Sequence, residues 1–211
     1  MTEVQYRQMV KDAGIRLAKE GLVQGTWGNI SVRLDKENML VTPSGLDYER
    51  MSLDDLVVVN MKSLEYTSEV KPTSEKKMHA LILLTRPDVS AVIHSHPQNS
   101  SAFAAARQDL PIKSAKARLL LGERVRVSGY GLPGTKKLTQ STLDALGKDN
   151  ACIMANHGAI VCASNLDDAF ELMKTLEQCA KEYLEEKVMA QAGTTVYNRA
   201  DLFSLFLKKY I

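Results

Sequence analysis

The sequence predicts a single α/β domain with a mixed or antiparallel β-sheet. Segments with helical periodicity alternate along the chain with short runs rich in Val and Ile, which are typical of strands. Several of these runs lie close enough together to pair as hairpins. With 211 residues, the chain is long enough for one domain with a substantial core and short for two. We therefore expect residues 1–211 to form one domain.

Helices are predicted where apolar residues recur at helical spacing and a capping residue comes before them. The first covers residues 2–20, with Thr2 as its N-cap and Gly21 just after its end. A second begins at Glu75, behind the capping pair Thr73 and Ser74, and runs to about residue 85. Others are expected at residues 98–108, 135–146, 166–191 (with Gly193 after the end) and 200–210.

Strands are predicted where β-branched residues cluster between turn residues. Residues 30–33 and 38–42 are expected to form a hairpin, and a further strand is expected at 56–61. The remaining strands are predicted in the runs 89–97, 124–128 and 152–161.

The composition excludes several classes of partner. A net charge of +2 offers no reason to expect a nucleic acid or a membrane as the main partner. The N-terminus carries charges where a signal peptide would be apolar, and no apolar run is long enough to span a membrane. Cys152, Cys162 and Cys179 are odd in number and form no close pair, which favours buried, reduced thiols. We expect a cytoplasmic protein.

Three of the four histidines lie within or at the end of apolar runs. His94 and His96 belong to one predicted strand, and because strand side chains alternate between faces, both should point to the same side. His157 lies in the run 152–161. Three protein ligands with an open fourth position are typical of a catalytic zinc. Each histidine could be a polar residue satisfied at a strand end, but the three together favour a metal site.

Glu75 and His79 lie four residues apart on one predicted helix. The position of Glu75 in the first turn could reflect stabilisation by the helix dipole alone. Alternatively, Glu75 is a base beside the metal, where it would remove a proton next to a substrate carbonyl while the metal stabilises an ene-diolate. His79 could be a further ligand, but an ordinary contact on the helix surface explains its spacing equally well.

Three short loops could bind an anion through backbone, hydroxyl and amide donors: Gly28-Asn29, Ser44-Gly45 and Thr73-Ser74. Turn and cap chemistry would explain any one of them taken singly. The segment 129–134 matches the G-x-G-x-x-G pattern of dinucleotide sites, but Pro133 interrupts the turn and no acidic residue follows at the required distance. We interpret that segment as a plain loop.

Together these segments resemble the class II aldolase/adducin family, and within it the small sugar-phosphate aldolases such as the fuculose-1-phosphate aldolases. The resemblance rests on the order and spacing of five motifs, namely 24–33 (QGTWGNISVR), 42–45 (TPSG), 72–75 (PTSE), 92–96 (VIHSH) and 155–158 (ANHG). It covers most of the chain.

The resemblance implies a three-layer α/β/α domain with a central, mostly antiparallel sheet, assembled as a homotetramer with active sites at subunit interfaces. It implies a metal, usually zinc, with manganese or cobalt as alternatives that imidazole ligands also accept. The ligands would be His94, His96 and His157, and Glu75 would be the base and also able to occupy a metal position. The phosphate pocket would be formed by Gly28, Asn29, Ser44, Gly45, Thr73 and Ser74.

The chain departs from the fuculose-phosphate pattern at one position. Ala115 stands where those enzymes place a tyrosine that a neighbouring subunit contributes as a proton donor. Their C-terminal tyrosine would correspond to Tyr210, which is followed only by Ile211. Lys113, Lys116 and Arg118, near Ala115, either meet an acidic group on an unusual substrate or form a solvated basic face.

These observations predict a metal-dependent aldolase that reversibly cleaves a ketose 1-phosphate into dihydroxyacetone phosphate and an aldehyde. Two alternatives remain at this point. One keeps the metal but changes the outcome to 4-epimerisation, or to decarboxylation of a phosphorylated sugar acid. Against epimerisation, related ribulose-5-phosphate 4-epimerases tend to carry Asp where this chain has Glu75. The other alternative is a metal-free, adducin-like scaffold, although adducin-like members lose the histidines that this chain keeps.

Overall fold

A seven-stranded sheet forms the centre of the protein in the computed structural model, which describes residues 1–23 and 25–192. Its strand order is β3-β2-β1-β4-β9-β8-β7, and every neighbouring pair is antiparallel except β7 and β8. The sheet strands are β1 (Gly28–Arg33), β2 (Asn38–Val41), β3 (Val57–Asn60), β4 (Ala91–Ser95), β7 (Val127–Ser128), β8 (Ala151–Met154) and β9 (Ala159–Ala163). A separate two-stranded sheet pairs β5 (Leu110–Pro111) with β6 (Arg124–Val125).

Helices cover both faces of the sheet. They are α1 (Glu3–Lys19), α2 (Lys76–Thr85), α3 (Gln98–Ala106), α4 (Ala115–Leu121), α5 (Lys136–Leu146) and α6 (Leu166–Ala192). One core cluster joins strand residues to α1, α3, α4 and α6, and a second joins the other sheet face to α2 and α5. Ile93 belongs to the first cluster and Val92 to the second, as alternation along a strand requires. The predicted three-layer α/β/α architecture with a mostly antiparallel sheet is confirmed.

Most element boundaries agree with the sequence-based expectations. Thr2 caps α1 in a capping box with Gln5, and Gly21 follows the helix with a φ of 69°. The expected hairpin is present as β1 and β2. Cys152, Cys162 and Cys179 are free and buried, and burial raises the pKa of the Cys152 thiol to about 12.

Several expectations require correction. Residues 152–161 are not one strand but parts of β8 and β9, with His157 in the turn between them, and residues 124–128 contain two short strands. Glu75 is the N-cap residue of α2 rather than part of its first turn, so neither Thr73 nor Ser74 is the cap residue itself. The predicted helix at 200–210 and Gly193 lie outside the described residues. Within residues 1–23 and 25–192, we find no helix with both the length and the apolar character needed to cross a bilayer.

Candidate functional site

His94 and His96 lie at the C-terminal end of β4, next to the N-terminal end of β1. His94 is within the strand, and His96 follows directly after its last residue, Ser95. Because the two residues are two positions apart, their imidazoles project to the same side, and their Nε2 atoms are 3.0 Å apart. His94 lies on the same face of β4 as Val92, which is the face that α2 covers.

His157 reaches the same point from the turn between β8 and β9. The turn is closed by a hydrogen bond from the Met154 N–H to the Gly158 carbonyl (2.7 Å), and Asn156 adopts a left-handed φ of 54°. Since β9 pairs with β4, the turn lies beside the end of β4. The His157 and His94 Nε2 atoms are 3.1 Å apart.

Glu75 faces these histidines from the N-terminus of α2. Its Oε2 lies 3.2 Å from the His94 Nε2, and its Oε1 lies 3.3 Å from the His157 Nε2. The Asn29 side-chain amide donates a hydrogen bond of 2.9 Å to Oε2. Asn29 is the direct cross-strand partner of His94, so the pairing of β1 with β4 brings the amide to the carboxylate. Only 6% of the Glu75 side chain is exposed.

The protonation states suit metal binding. His94 donates a hydrogen bond from Nδ1 to the Ala159 carbonyl (2.9 Å), which leaves the lone pair on Nε2 facing the other histidines. Burial lowers the pKa of His94, and burial together with the neighbouring His94 and His157 lowers the pKa of His96 to about 3. Burial alone would raise the pKa of Glu75, but His94, His157 and the Asn29 amide lower it well below its ordinary value. The neutral imidazoles of His94 and His96 therefore face an ionised carboxylate.

This donor set fits a divalent cation. The three histidines each offer one nitrogen, and these atoms all lie within 4.8 Å of one another. Tetrahedral ligands at about 2.0–2.1 Å from a zinc lie roughly 3.3 Å apart, close to the observed spacing from His94. The Glu75 carboxylate lies beside them and can act as a further metal ligand or as a base. The Ala159 carbonyl orients the His94 ring, an arrangement that is common around bound metals. Imidazole nitrogens and a carboxylate suit zinc, cobalt or manganese.

The three loops predicted to bind an anion are joined to one another by backbone and side-chain hydrogen bonds. The Thr73 N–H donates to the Thr42 carbonyl (3.1 Å), and the Ser44 N–H donates to the Lys71 carbonyl (2.9 Å). The Gly28-Asn29 pair connects to the third loop through the bond from Asn29 to Glu75. Ser44, Gly45 and Ser74 are exposed, whereas Asn29 and Thr73 are buried. The segments that carry the three loops are thus held together, and Glu75, which directly follows the third loop, contacts the histidines.

Other predicted residues lie elsewhere. Tyr210 is outside the described residues. Ala115 begins α4 and is exposed. Lys113 forms an ion pair with Glu186 of α6, and Arg118 pairs with Glu123 at 3.3 Å. Lys116 is exposed and lines a groove between α4 and α6. His79 is not part of the histidine cluster and is instead hydrogen-bonded to Ser31.

Two site residues were not singled out from the sequence. A Cβ atom on Gly158 would lie 2.5 Å from the Ser95 carbonyl oxygen and 3.2 Å or less from the rings of His94 and His96. In the sequence, Gly158 could have been recognised as a small residue directly after a histidine and between two apolar runs. Trp27 is 62% exposed, and its ring centroid lies 5.8 Å from that of His96. A large exposed aromatic residue in a glycine-rich loop was the signal for Trp27.

Comparison with known proteins places the chain in a family. The model of the class II aldolase and adducin N-terminal domain matches residues 8–184. The chain belongs to the class II aldolase and adducin family. Members of its aldolase branch are metal-dependent lyases, and a cluster of three histidines that could hold a metal is present here. The chain is therefore assigned as an enzyme, a class II aldehyde-lyase, and the alternative of a non-catalytic scaffold is not supported.

Similarity to individual aldolases extends over nearly the whole chain. A 5-deoxy-D-ribulose 1-phosphate aldolase from Bacillus thuringiensis serovar kurstaki is 31% identical over 186 residues, covering 88% of this chain and 87% of the relative. A solved structure of an L-fuculose 1-phosphate aldolase is 32% identical, with a TM-score of 0.82 and coverage of 97% and 96%. A 3-oxo-tetronate 4-phosphate decarboxylase from Haemophilus influenzae is 28% identical over 185 residues, covering 86% and 88%.

Proposed function

We propose that this class II aldolase reversibly cleaves a ketose 1-phosphate into dihydroxyacetone phosphate and an aldehyde. The observation that carries the proposal is the convergence of three imidazoles and one carboxylate from β4, the β8–β9 turn and the start of α2. Relatives named as aldolases of 5-deoxy-D-ribulose 1-phosphate and of L-fuculose 1-phosphate support this class of substrate.

We assign the metal to His94, His96 and His157, with Glu75 able to act as a fourth ligand before substrate binds. Zinc is the proposed ion, and manganese and cobalt are alternatives that the same ligands accept. When bound, the cation would act as a Lewis acid on a carbonyl group and stabilise the negative charge that develops there.

Glu75 is the proposed base. Its carboxylate is ionised and buried, so it can accept a proton at Oε1 or Oε2 without competition from bulk water. Asn29 holds Oε2 and thereby leaves Oε1, beside His157, oriented towards the centre of the site. We propose Tyr210 as a second catalytic residue that exchanges a proton at the aldehyde oxygen.

The substrate phosphate is proposed to bind the rim formed by Gly28, Asn29, Ser44, Gly45, Thr73 and Ser74. The N–H groups of Thr73 and Ser44 are already bonded to backbone carbonyls, so the hydroxyls of the exposed Ser44 and Ser74 are the proposed donors. Ser74 also lies just before α2, whose N-terminal dipole favours an anion. Gly28 has a φ of 147°, and a Cβ atom there would lie 3.0 Å from the His94 carbonyl oxygen. Only glycine suits this position without strain.

The proposal includes a homotetramer with active sites at subunit interfaces. Light scattering coupled to gel filtration would measure its mass. A monomer that is fully active would contradict this part of the proposal.

The central experiment screens a panel of ketose 1-phosphates with the zinc-loaded protein and measures dihydroxyacetone phosphate. We expect cleavage of at least one substrate, abolished by a chelator and restored by zinc. Glu75→Gln should lower kcat by about 100-fold or more, since a positioned general base contributes about 10²–10⁴-fold. The matched control Glu37→Gln, at the exposed far end of the β1–β2 hairpin, should leave kcat unchanged. Turnover that survives chelation, or Glu75→Gln at full rate, would contradict the mechanism.

A second candidate function is decarboxylation of a phosphorylated sugar acid. It is favoured by the relative named as a 3-oxo-tetronate 4-phosphate decarboxylase, and by Ala115 where a tyrosine is expected in the fuculose-phosphate pattern. Adding sugar-acid phosphates to the same panel and measuring CO₂ distinguishes the two outcomes. CO₂ release without cleavage of any ketose 1-phosphate would replace the aldolase proposal, and a product epimerised at C4 would indicate the epimerase alternative.

A further inference from the structure

Two side-chain hydrogen bonds connect β1 to α2, one at the candidate site and one beneath it. At the site, the Asn29 amide donates to Glu75 at 2.9 Å. Beneath it, the Ser31 Oγ and the His79 Nδ1 share a hydrogen bond of 2.7 Å. Ser31 and His79 both have an exposed fraction of 0%. The second bond is therefore closed off from solvent and lies in the layer between sheet and helix.

The two hydrogen bonds can form at the same time because the distance between the two strand residues is nearly equal to the distance between the two helix residues. Asn29 and Ser31 are two residues apart on one face of β1, a rise of about 6.6 Å. Glu75, the N-cap residue of α2, lies four residues before His79, and the His79 N–H donates to its carbonyl (3.3 Å), so the rise between them is about 6 Å. The bonds therefore lie side by side, and a shift of α2 along β1 would lengthen both of them.

The position of α2 along β1 also determines the geometry of the histidine cluster. Asn29 is paired directly with His94 across β1 and β4, so β1 and His94 form one rigid unit. Glu75 is attached to that unit through α2. Any displacement of α2 changes the 3.2 Å distance between the Glu75 Oε2 and the His94 Nε2.

Packing alone does not require a polar pair at this point. Burying a hydroxyl and an imidazole costs free energy unless they are hydrogen-bonded, and an apolar pair of similar size would fill the same space. Among the described residues, the His79 Nε2 has no hydrogen-bond partner, so the bond to Ser31 is the side-chain bond that holds this ring. A polar pair gains its energy in one register only, whereas apolar side chains can slide.

We propose that Ser31 and His79 are positioning residues, which fix α2 against β1 and thereby hold the Glu75 carboxylate at the distance from His94 that the reaction needs. This inference rests on the proposed role of Glu75 as the base. Neither residue contacts the substrate in this proposal.

The test replaces the polar pair by an apolar one in the double variant Ser31→Ala/His79→Leu. We expect a folded protein that binds zinc at the parent stoichiometry but has kcat lowered about 10- to 100-fold, since misplacement by about 1 Å can cost 10²-fold. KM should change by less than about threefold, because the phosphate rim is untouched. The single variant His79→Asn keeps Ser31 and offers it an amide in place of the His79 Nδ1. It should recover most of the kcat that the double variant loses. Should the double variant not fold, Ser31→Ala alone serves the same comparison.

A matched control separates positioning from the loss of any buried polar group. Thr142 is fully buried on α5, and its hydroxyl has no hydrogen-bond partner among the described residues. Thr142→Val should leave kcat at the parent value. A crystal structure of the double variant should show the Glu75 Oε2 more than about 0.5 Å farther from His94, beyond the tolerance of a catalytic constellation.

Two results would overturn the inference: an unchanged distance from Glu75 to His94 in the double variant, or parent kcat in that variant when the parent is active. If the parent cleaved no ketose 1-phosphate, the proposed function would fail, while the crystallographic distance would still decide whether the pair positions Glu75.

Discussion

Gly158 packs directly against the backbone of Ser95. A Cβ atom on Gly158 would lie 2.5 Å from the Ser95 carbonyl oxygen, and 3.1 Å from the His94 Cε1. The contact exists because the turn carrying His157 crosses the end of β4, the strand that carries the other two histidines. The absence of a side chain at this position is what allows the three imidazoles to meet.

Gly158→Ala should weaken zinc binding about 10- to 100-fold, the range found for disturbing the groups that orient metal ligands. The added methyl group must push the turn away from β4, and His157 moves with it. A competition titration with a chromogenic chelator measures the affinity. Gly129→Ala is the matched control, because its Cβ would meet the Ser141 side chain, at 3.3 Å from the hydroxyl oxygen and 3.7 Å from the Cβ, and no backbone. Unchanged zinc affinity in Gly158→Ala would show that the close approach is not needed.

Asn29→Ala should lower kcat about 10- to 100-fold, since a hydrogen bond to a charged group contributes about 1.5–3 kcal/mol. The substitution removes the donor at 2.9 Å from Glu75 Oε2 and frees the carboxylate to rotate. Steady-state kinetics with a saturating ketose 1-phosphate give the value. The control variant Asn38→Ala, at the start of β2 and at the far end of the hairpin, should have the parent kcat. A kcat within twofold of the parent for Asn29→Ala would contradict the role of this bond.

Metal binding should change the fluorescence of Trp27, the single tryptophan in the sequence. Its ring lies 5.8 Å from that of His96, between centroids, so an ion at the histidines is within range of the indole. We expect cobalt to quench the emission, with the change complete at one equivalent per chain. Replacing His157 by Asn should weaken the response while leaving the starting emission similar. Quenching that needs many equivalents would indicate that cobalt binds elsewhere.

Glu177→Ala should lower the free energy of unfolding by about 2 kcal/mol, from the loss of hydrogen bonds to a charged group at a helix N-terminus. Glu177 on α6 accepts from the backbone N–H groups of Asn99 (2.7 Å) and Ser100 (2.9 Å) in the first turn of α3. Urea unfolding measures the change. Glu182→Ala, an exposed position on the same helix, is the control and should stay within about 0.5 kcal/mol. Because α3 begins two residues after His96, Glu177→Ala should also weaken zinc binding. An equal loss of stability in both variants would exclude a specific role for Glu177.

Local sequence patterns predicted most strands of the sheet and the meeting of His94 with His96. They also predicted the helices of the described residues, except α4, which was missed. Alternation along a strand depends only on neighbouring residues, so two histidines two positions apart can be placed on one face without knowledge of the fold. The same local reasoning was wrong for residues 152–161. An apolar run through an antiparallel pair and its tight turn resembles one buried strand. Asn156, a residue type that tolerates left-handed φ, and Gly158 are the turn signals that divide this run.

The chain by itself determined which side chains were available for chemistry: three histidines in or at the end of apolar runs, Glu75 at a helix start, and small residues in three loops. The tertiary structure decided how these groups meet. The cross-strand pairing of Asn29 with His94, the contact of Gly158 with Ser95 and the buried bond of Ser31 with His79 each join segments distant in sequence. Such contacts depend on strand order and on the height of a helix above a sheet, and both are set by the packing of the whole core rather than by any local pattern.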